Sequence, residues 1–334
     1  MEEGINVQKR FFEELKAKLP SNLSMANVVA EELNISIDSA YRRIRGESDL
    51  SLTEFDALTS KYAISTDAVL SKTTSSVHFN YRSIDPKNFS FENYFHSLTE
   101  EIKSFERYGL KEMIYVALDL PLFYYFLFPK LAAFKVFFWE RNVFNFPDLN
   151  ELRFNFDLIS NEEFEKSHNM LRIYQSVPTV EIWSEETLNP TLRQINYYNE
   201  IGIFEKKQDI IEILEDVKKV VNHIQKQAEL GYKFYPGSEL PVNGDKNNFK
   251  IYHNEVTLSE NVVLIKLQNF NVVHIGHNVL NILTTNNQHF FDDTFYFAER
   301  VMKNSTLMSV TAEKERKRFF NLLNHKIDIM MANV

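Results

Sequence analysis

The chain contains no cysteine, which excludes disulfides, cysteine metal sites and thiol nucleophiles together and suits a reducing compartment. Glycine is scarce, at 8 of 334 residues, and neither a glycine-rich phosphate loop nor a serine nucleophile elbow is present. Long apolar runs are missing as well. The most apolar stretch, residues 113–138, is interrupted by Asp119, Pro121, Pro129, Lys130 and Lys135, so no run of roughly eighteen uncharged apolar residues exists to span a bilayer. The start carries Glu2, Glu3, Lys9 and Arg10 without an apolar segment, unlike a secretory signal. A cytoplasmic protein with no membrane partner is the expectation. Positive charge is also in deficit: the net charge is −9, and residues 1–72 hold nine Lys and Arg against twelve Asp and Glu.

What is present describes a folded chain. Hydrophobic residues make up 44% and charged residues 25%, with 29 Phe and 15 Tyr, a composition that fills cores rather than disordered tails. A length of 334 residues exceeds what one core usually supports and predicts two or three domains.

The first seventy residues carry closely spaced helix signals. Val7, Phe11, Phe12, Leu15 and Leu19 repeat at helical spacing up to Pro20. Ser24 is placed to cap a second helix whose apolar face is Met25, Val28, Val29, Ala30 and Leu33. After a turn at Asn34 and Ile35, Ser36 caps a third helix, Ile37 to Arg45, stopped by Gly46. Two short helices over 51–62 and 65–70, capped by Ser51 and Ser65, complete the module, and residues 71–76 read as a linker. Helices are predicted beyond it over 91–108, 161–175, 186–201 and 205–230, while 113–118 fits a strand or a helix equally well. From residue 249 the pattern alternates as strands do, over 250–253, 262–267 and 272–274. Helices near 291–303 and 312–330, the latter capped by Thr311, flank a strand at 307–310.

The stretch from Val28 to Glu47, with small Ala30, Leu33 and Ile35 around the turn and Ala40 with Ile44 facing inward, resembles the helix-turn-helix of the phage Cro and repressor, or XRE-like, class. Residues 50–70 resemble the last two helices of the same five-helix fold. In two places the chain departs from that pattern. The turn position often held by glycine is Asn34, which tolerates a left-handed backbone, and an apolar position late in the third helix is Arg43, with Tyr41 available to take over its packing.

The resemblance implies a transcription regulator that reads double-stranded DNA. The third helix then lies in the major groove, and the start of the second, at Ser24 and Met25, points its amides at a phosphate. By position, base contact falls to Ser36, Ile37, Asp38 and Ser39, with Arg42 and Arg43 deeper in the groove or on its wall and Arg45 on phosphate. Three arginines within four positions offset the local acidic balance, because DNA binding responds to charge on one face rather than to the sum. The alternative is a protein-interaction or scaffold module whose arginines form a solvated face.

Weaker constellations favour bland readings. His274-Ile275-Gly276-His277 spells a signature of class I aminoacyl-tRNA synthetases, but fewer than sixty residues follow it, which leaves no room for that fold. His253, His274, His277 and His289 with Asp292 and Asp293 match no metal-ligand spacing, and residues three apart on a strand face opposite ways. Ile210, Leu214, Val217, Val221 and Ile224 form a two-heptad seam that suits either a homodimer helix or a buried one. The aromatic run Leu122 to Phe128 suits a core or an apolar ligand pocket. No catalytic residue, metal ligand or cofactor is expected, and the chain does not read as an enzyme.

The fold expected from the sequence is therefore mainly α. It comprises a helix-turn-helix domain at 1–72, a mostly helical regulatory region at 73–247 and a small α+β subdomain at 248–334. The last two would sense an effector ligand or protein, or pair subunits.

Overall fold

A computed structural model describes the chain apart from residues 1–6, 20–22, 63, 65–68, 70–75, 83, 150, 157–160, 257 and 259. The chain divides into two compact units, residues 1–80 and 81–334.

The first unit contains α1 (Val7–Lys18), α2 (Met25–Glu32), α3 (Ile37–Ile44) and α4 (Leu52–Tyr62). The helix expected over 65–70 lies outside the described residues except for Val69, which is buried. The apolar positions that set the helical periods are the ones that meet. Phe11, Phe12 and Leu15 of α1, Val29 and Ala30 of α2, Ala40 of α3 and Leu58 of α4 form one core. Ala40 is fully buried, and a side chain this small lets neighbouring helix backbones approach closely.

The second unit is built on an eight-stranded mixed sheet. Its strands are β1 (Asn80–Arg82), β2 (Glu112–Ala117), β3 (Thr179–Trp183), β4 (Phe249–His253), β5 (Val262–Lys266), β6 (Asn271–His277), β7 (Asn281–Thr285) and β8 (Thr306–Leu307), in the order β1-β7-β6-β5-β2-β3-β4-β8. The neighbouring strands β2-β3-β4 are parallel, and the meander β5-β6-β7 and the edge strand β8 are antiparallel. Among the described residues, seven helices join and cover it: α5 (Phe91–Arg107), α6 (Pro129–Asn142), α7 (Asn161–Ser176), α8 (Asn189–Glu200), α9 (Lys207–Leu230), α10 (Gln288–Lys303) and α11 (Glu313–Ala332). One sheet face, with Ile114, Val180, Leu264 and Val273, packs on Phe291 and Ala298 of α10. Residues of the opposite face pack on the other helices, Met113, Ile265 and Val272 against Ile102 and Phe105 of α5 and Trp183 and Ile251 within the largest core.

This architecture is α/β and corrects the expectation of a mainly α chain ending in a small α+β subdomain. The sheet starts at residue 80, and β2 and β3 lie in the region expected to be mostly helical: 113–118, which fits a strand or a helix, holds β2, and 179–183, between two expected helices, is β3. The physical reason is burial on both faces. A parallel strand covered by helices on each side shows no alternation to read, and all five residues of β3 are buried, with Glu181 in the middle. β7 was missed for a different reason: Asn281 to Thr285 is short and half-buried, with polar residues at three of its five positions. Thr311 is not the cap of α11; Ala312 holds that position with a left-handed backbone at φ 54°.

Two earlier alternatives resolve within the unit. Ile210, Leu214, Val217, Val221 and Ile224 of α9 are buried in its own core, so the seam is not a dimer surface. Tyr124 to Leu127 are core residues, whereas Leu122 and Phe123 line a cavity. α9 stops at Gly231, whose φ is 78°, and a Cβ there would come within 2.6 Å of Val310. Glycine is therefore required both for the backbone and for the space. Among the described residues no helix is long and apolar enough to cross a membrane.

Candidate nucleic-acid interface

The turn between α2 and α3 forms as the sequence implies. Asn34 adopts the left-handed region at φ 50°, and the Ile35 amide donates to the Ala30 carbonyl at 3.0 Å, closing the end of α2. Ser36 Oγ accepts from the Ser39 amide at 3.2 Å and donates to Ser39 Oγ at 2.9 Å, so α3 is capped and its first turn is fixed. Ser24 stands at the cap position of α2, but its side chain makes no capping bond. The first turn of α2 holds no acidic residue, so its amides are compatible with an external anion.

One face of α3 is presented to solvent. Ile37, Asp38, Tyr41, Arg42 and Arg45 are exposed, and Ser39, Arg43 and Ile44 are half-buried. Tyr41 does not take over a packing role, since it is 47% exposed. The three arginines differ in how they are held. Among the described residues, Arg42 has no ion-pair or hydrogen-bond partner for its side chain. Arg45 pairs with Glu47 at 3.0 Å, an exposed contact worth about 0–1 kcal/mol and readily exchanged for a phosphate. Arg43 turns the other way and holds the domain together. Its Nη2 donates to Glu54 Oε1 at 2.7 Å, its Nε to Glu54 Oε2 at 3.3 Å and its Nη1 to the Ser39 carbonyl at 3.3 Å.

Glu54 also closes the start of α4. Its Oε2 accepts from the Ser51 amide at 2.9 Å, and Ser51 Oγ accepts from the Glu54 amide at 3.2 Å, a capping box. Gln8 of α1 is a second clamp, donating to the carbonyls of Arg43 at 2.7 Å and Ser48 at 2.8 Å and accepting from the Leu50 amide at 2.9 Å. Sequence reasoning found neither residue. The Ser51-to-Glu54 spacing is a readable capping signature, but nothing in it announces the partner eleven residues upstream.

Burial works against ionisation of Glu54, yet the hydrogen bonds from Arg43 and Ser51 outweigh it and hold the carboxyl below the usual glutamate range. A lowered native pKa gives stability that is present above the ordinary range and lost as pH falls through the native value. Glu54→Ala is expected to cost the first unit about 1–2 kcal/mol, from the lost cap and the uncompensated half-buried Arg43. The deficit should vanish in acid, below the glutamate range. Both tryptophans, Trp139 and Trp183, lie in the second unit, so amide exchange of α1 to α4 is the measurement. Unchanged protection at neutral pH would refute the clamp.

The remaining histidines do not gather. β6 runs unbroken through Gly276, which sends His274 into the core and leaves His277 exposed beside the Tyr81 ring at 5.6 Å. Among the described residues no group of three His, Asp or Glu is arranged to hold a metal ion. Compared with models of protein families, with curated proteins and with solved structures, the chain matches none.

Proposed function

We propose that the chain is a sequence-specific DNA-binding transcription regulator, with the first unit as reader and the second as the part that controls it. The observation that carries this reading is the outward face of α3, on a capped helix fixed to α2 through a left-handed Asn34, with Arg42 exposed and uncommitted. Ile37 and Tyr41 offer apolar contact for thymine methyls, Asp38 an acceptor for cytosine N4, and Arg42 a bidentate donor for guanine. Arg45 and the first-turn amides of α2 suit phosphate, which positions without specifying. Arg43 acts as a positioning residue through Glu54. The second unit, about three times the size of the first, is far more than a DNA reader of this size requires, which supports a control role for an effector or a partner copy.

Selection of bound duplexes from random DNA by the full chain at near-physiological salt tests the reading. An enriched motif is expected, with Arg42→Ala weakening it by about tenfold, within the ~1–3 kcal/mol of one bidentate base contact, and affecting scrambled DNA less. Equal losses on both would make Arg42 a phosphate contact. Two copies of the motif about one helical turn apart would indicate a homodimer. No enrichment by folded protein would reject the reading.

One observation favours a second reading, a protein-interaction module: Ile37 is 52% and Tyr41 47% exposed on the same face as Asp38, and the unit carries an acidic surplus. Affinity for DNA that falls steeply with salt separates the two, because counterion release follows phosphate contacts.

A further inference from the structure

The second unit contains a cavity of about 100 Å3 between α5, the sheet and the Leu122–Phe126 turn. Its wall is almost wholly apolar, with Leu98, Ile102, Phe105, Phe123, Ile265 and Ile282 among the lining residues. Of the tyrosines that also line it, Tyr174 donates to Glu181 at 2.7 Å, and the Tyr115 hydroxyl lies beside the Leu122 backbone. Two polar side chains remain, His274 of β6 and Glu101 of α5.

His274 is only 8% exposed, and its Nε2 has no hydrogen-bond partner. Its Nδ1 is satisfied by Thr284 Oγ1 at 3.2 Å, across the β6-β7 pair. A buried polar atom without a partner costs about 1–3 kcal/mol, so an unfilled site is disfavoured. Glu101 Oε1 lies 3.9 Å from that Nε2 and is itself anchored by Arg82 at 3.3 Å. At 3.9 Å the two groups are too far apart to bond each other, and an oxygen placed between them, about 2.8 Å from each, would bond both once a small side-chain shift opens Nε2, which has almost no accessible surface of its own.

We propose that this cavity is a binding site for a small neutral molecule with one hydroxyl on a compact apolar skeleton, the hydroxyl bridging His274 Nε2 and Glu101. The Thr284 hydroxyl donates to Nδ1, Nε2–H donates to the ligand oxygen, and the ligand hydroxyl donates to Glu101. Burial pushes the His274 imidazole below its usual range, which keeps it neutral and suited to this pattern. An anionic head is disfavoured by the Glu101 carboxylate. Size sets the skeleton: an apolar cavity of ~150 Å3 holds benzene, so this one takes roughly four to five heavy atoms. That points to a short aliphatic alcohol, or the hydroxyl end of a longer chain. The inference stands on the second unit alone and does not rest on the DNA reading.

The test is ligand-observed NMR titration of the full chain with 1-butanol, 1-chlorobutane and butyrate. 1-Butanol is expected to bind saturably. 1-Chlorobutane, similar in shape without a hydroxyl, should bind at least about fivefold more weakly, the worth of one net hydrogen bond, and butyrate should bind weakest. His274→Leu should reduce butanol to the level of chlorobutane, and Glu101→Met, which keeps the length but removes the acceptor, should weaken butanol in the same direction and guards against a folding defect in the first variant. Absence of saturable butanol binding would mean that the cavity holds water only and would overturn the proposal. So would equal binding of butanol and chlorobutane, or butanol binding unchanged in both folded variants.

Discussion

Glu181→Leu is expected to lower the stability of the second unit by about 3–5 kcal/mol, the range for removing one partner from a buried charged network. Glu181 sits at the centre of β3, fully buried. Its Oε1 accepts from Tyr124 at 2.6 Å and Tyr174 at 2.7 Å, and its Oε2 from the Trp183 indole at 2.9 Å. These bonds tie the strand to the Leu122–Phe126 turn and to α7. Leucine fits the volume but leaves three donors unsatisfied and deprives buried Lys233 of its countercharge. Glu181→Gln retains an acceptor oxygen and should cost clearly less. Urea unfolding followed by tryptophan fluorescence reports on this unit, because it contains both indoles. A loss below about 1 kcal/mol for the leucine variant would show that the cluster is dispensable.

The same residue explains why the core of the sheet was hard to read. In Thr179-Val-Glu-Ile-Trp a charge interrupts the apolar run, and the Lys233 charge, the two tyrosines and the indole, distant in sequence except for Trp183, make it acceptable inside. Local signals were legible where they are local: Ser36 as a cap, Asn34 in the left-handed region and the periods of α5, α7 and α9. The face of α3 was partly legible. Helical spacing alone places Ile37, Asp38, Tyr41 and Arg42 on one side, but it does not distinguish Arg42 from Arg43, one residue apart. That distinction is made by Glu54, on another helix. His274 illustrates the same limit. Its sequence neighbours suggest a motif, whereas its surroundings come from α5 and β7, and only their convergence creates the cavity.

Lys233 should make the second unit more stable as pH rises from about 7 to about 10. The side chain is fully buried. Its Nζ donates to the carbonyls of Tyr174 at 3.1 Å and Val177 at 3.2 Å and lies 3.7 Å from the Tyr174 ring centroid. Burial pushes its pKa down to about 7, with the Glu181 charge pulling the other way. The unfolded lysine keeps its proton to about 10.4, so across this window the unfolded chain binds one proton more than the native one. Stability then rises with pH, by at most about 1.4 kcal/mol per unit for a single group. Lys135, held down to about 8 by its own burial, adds in the same direction. Glu181 acts with the opposite sign at lower pH. Burial raises its pKa, so the native state retains a proton that the unfolded one has lost, and stability falls as pH climbs through that interval. Above about 10 the buried tyrosines, whose pKa values burial raises further, reverse the gain. Urea unfolding at pH 7, 8, 9 and 10 should therefore show an upward trend that Lys233→Met reduces by more than half. A flat wild-type profile, or an equal rise in the variant, would show that Lys233 keeps its proton in the folded protein.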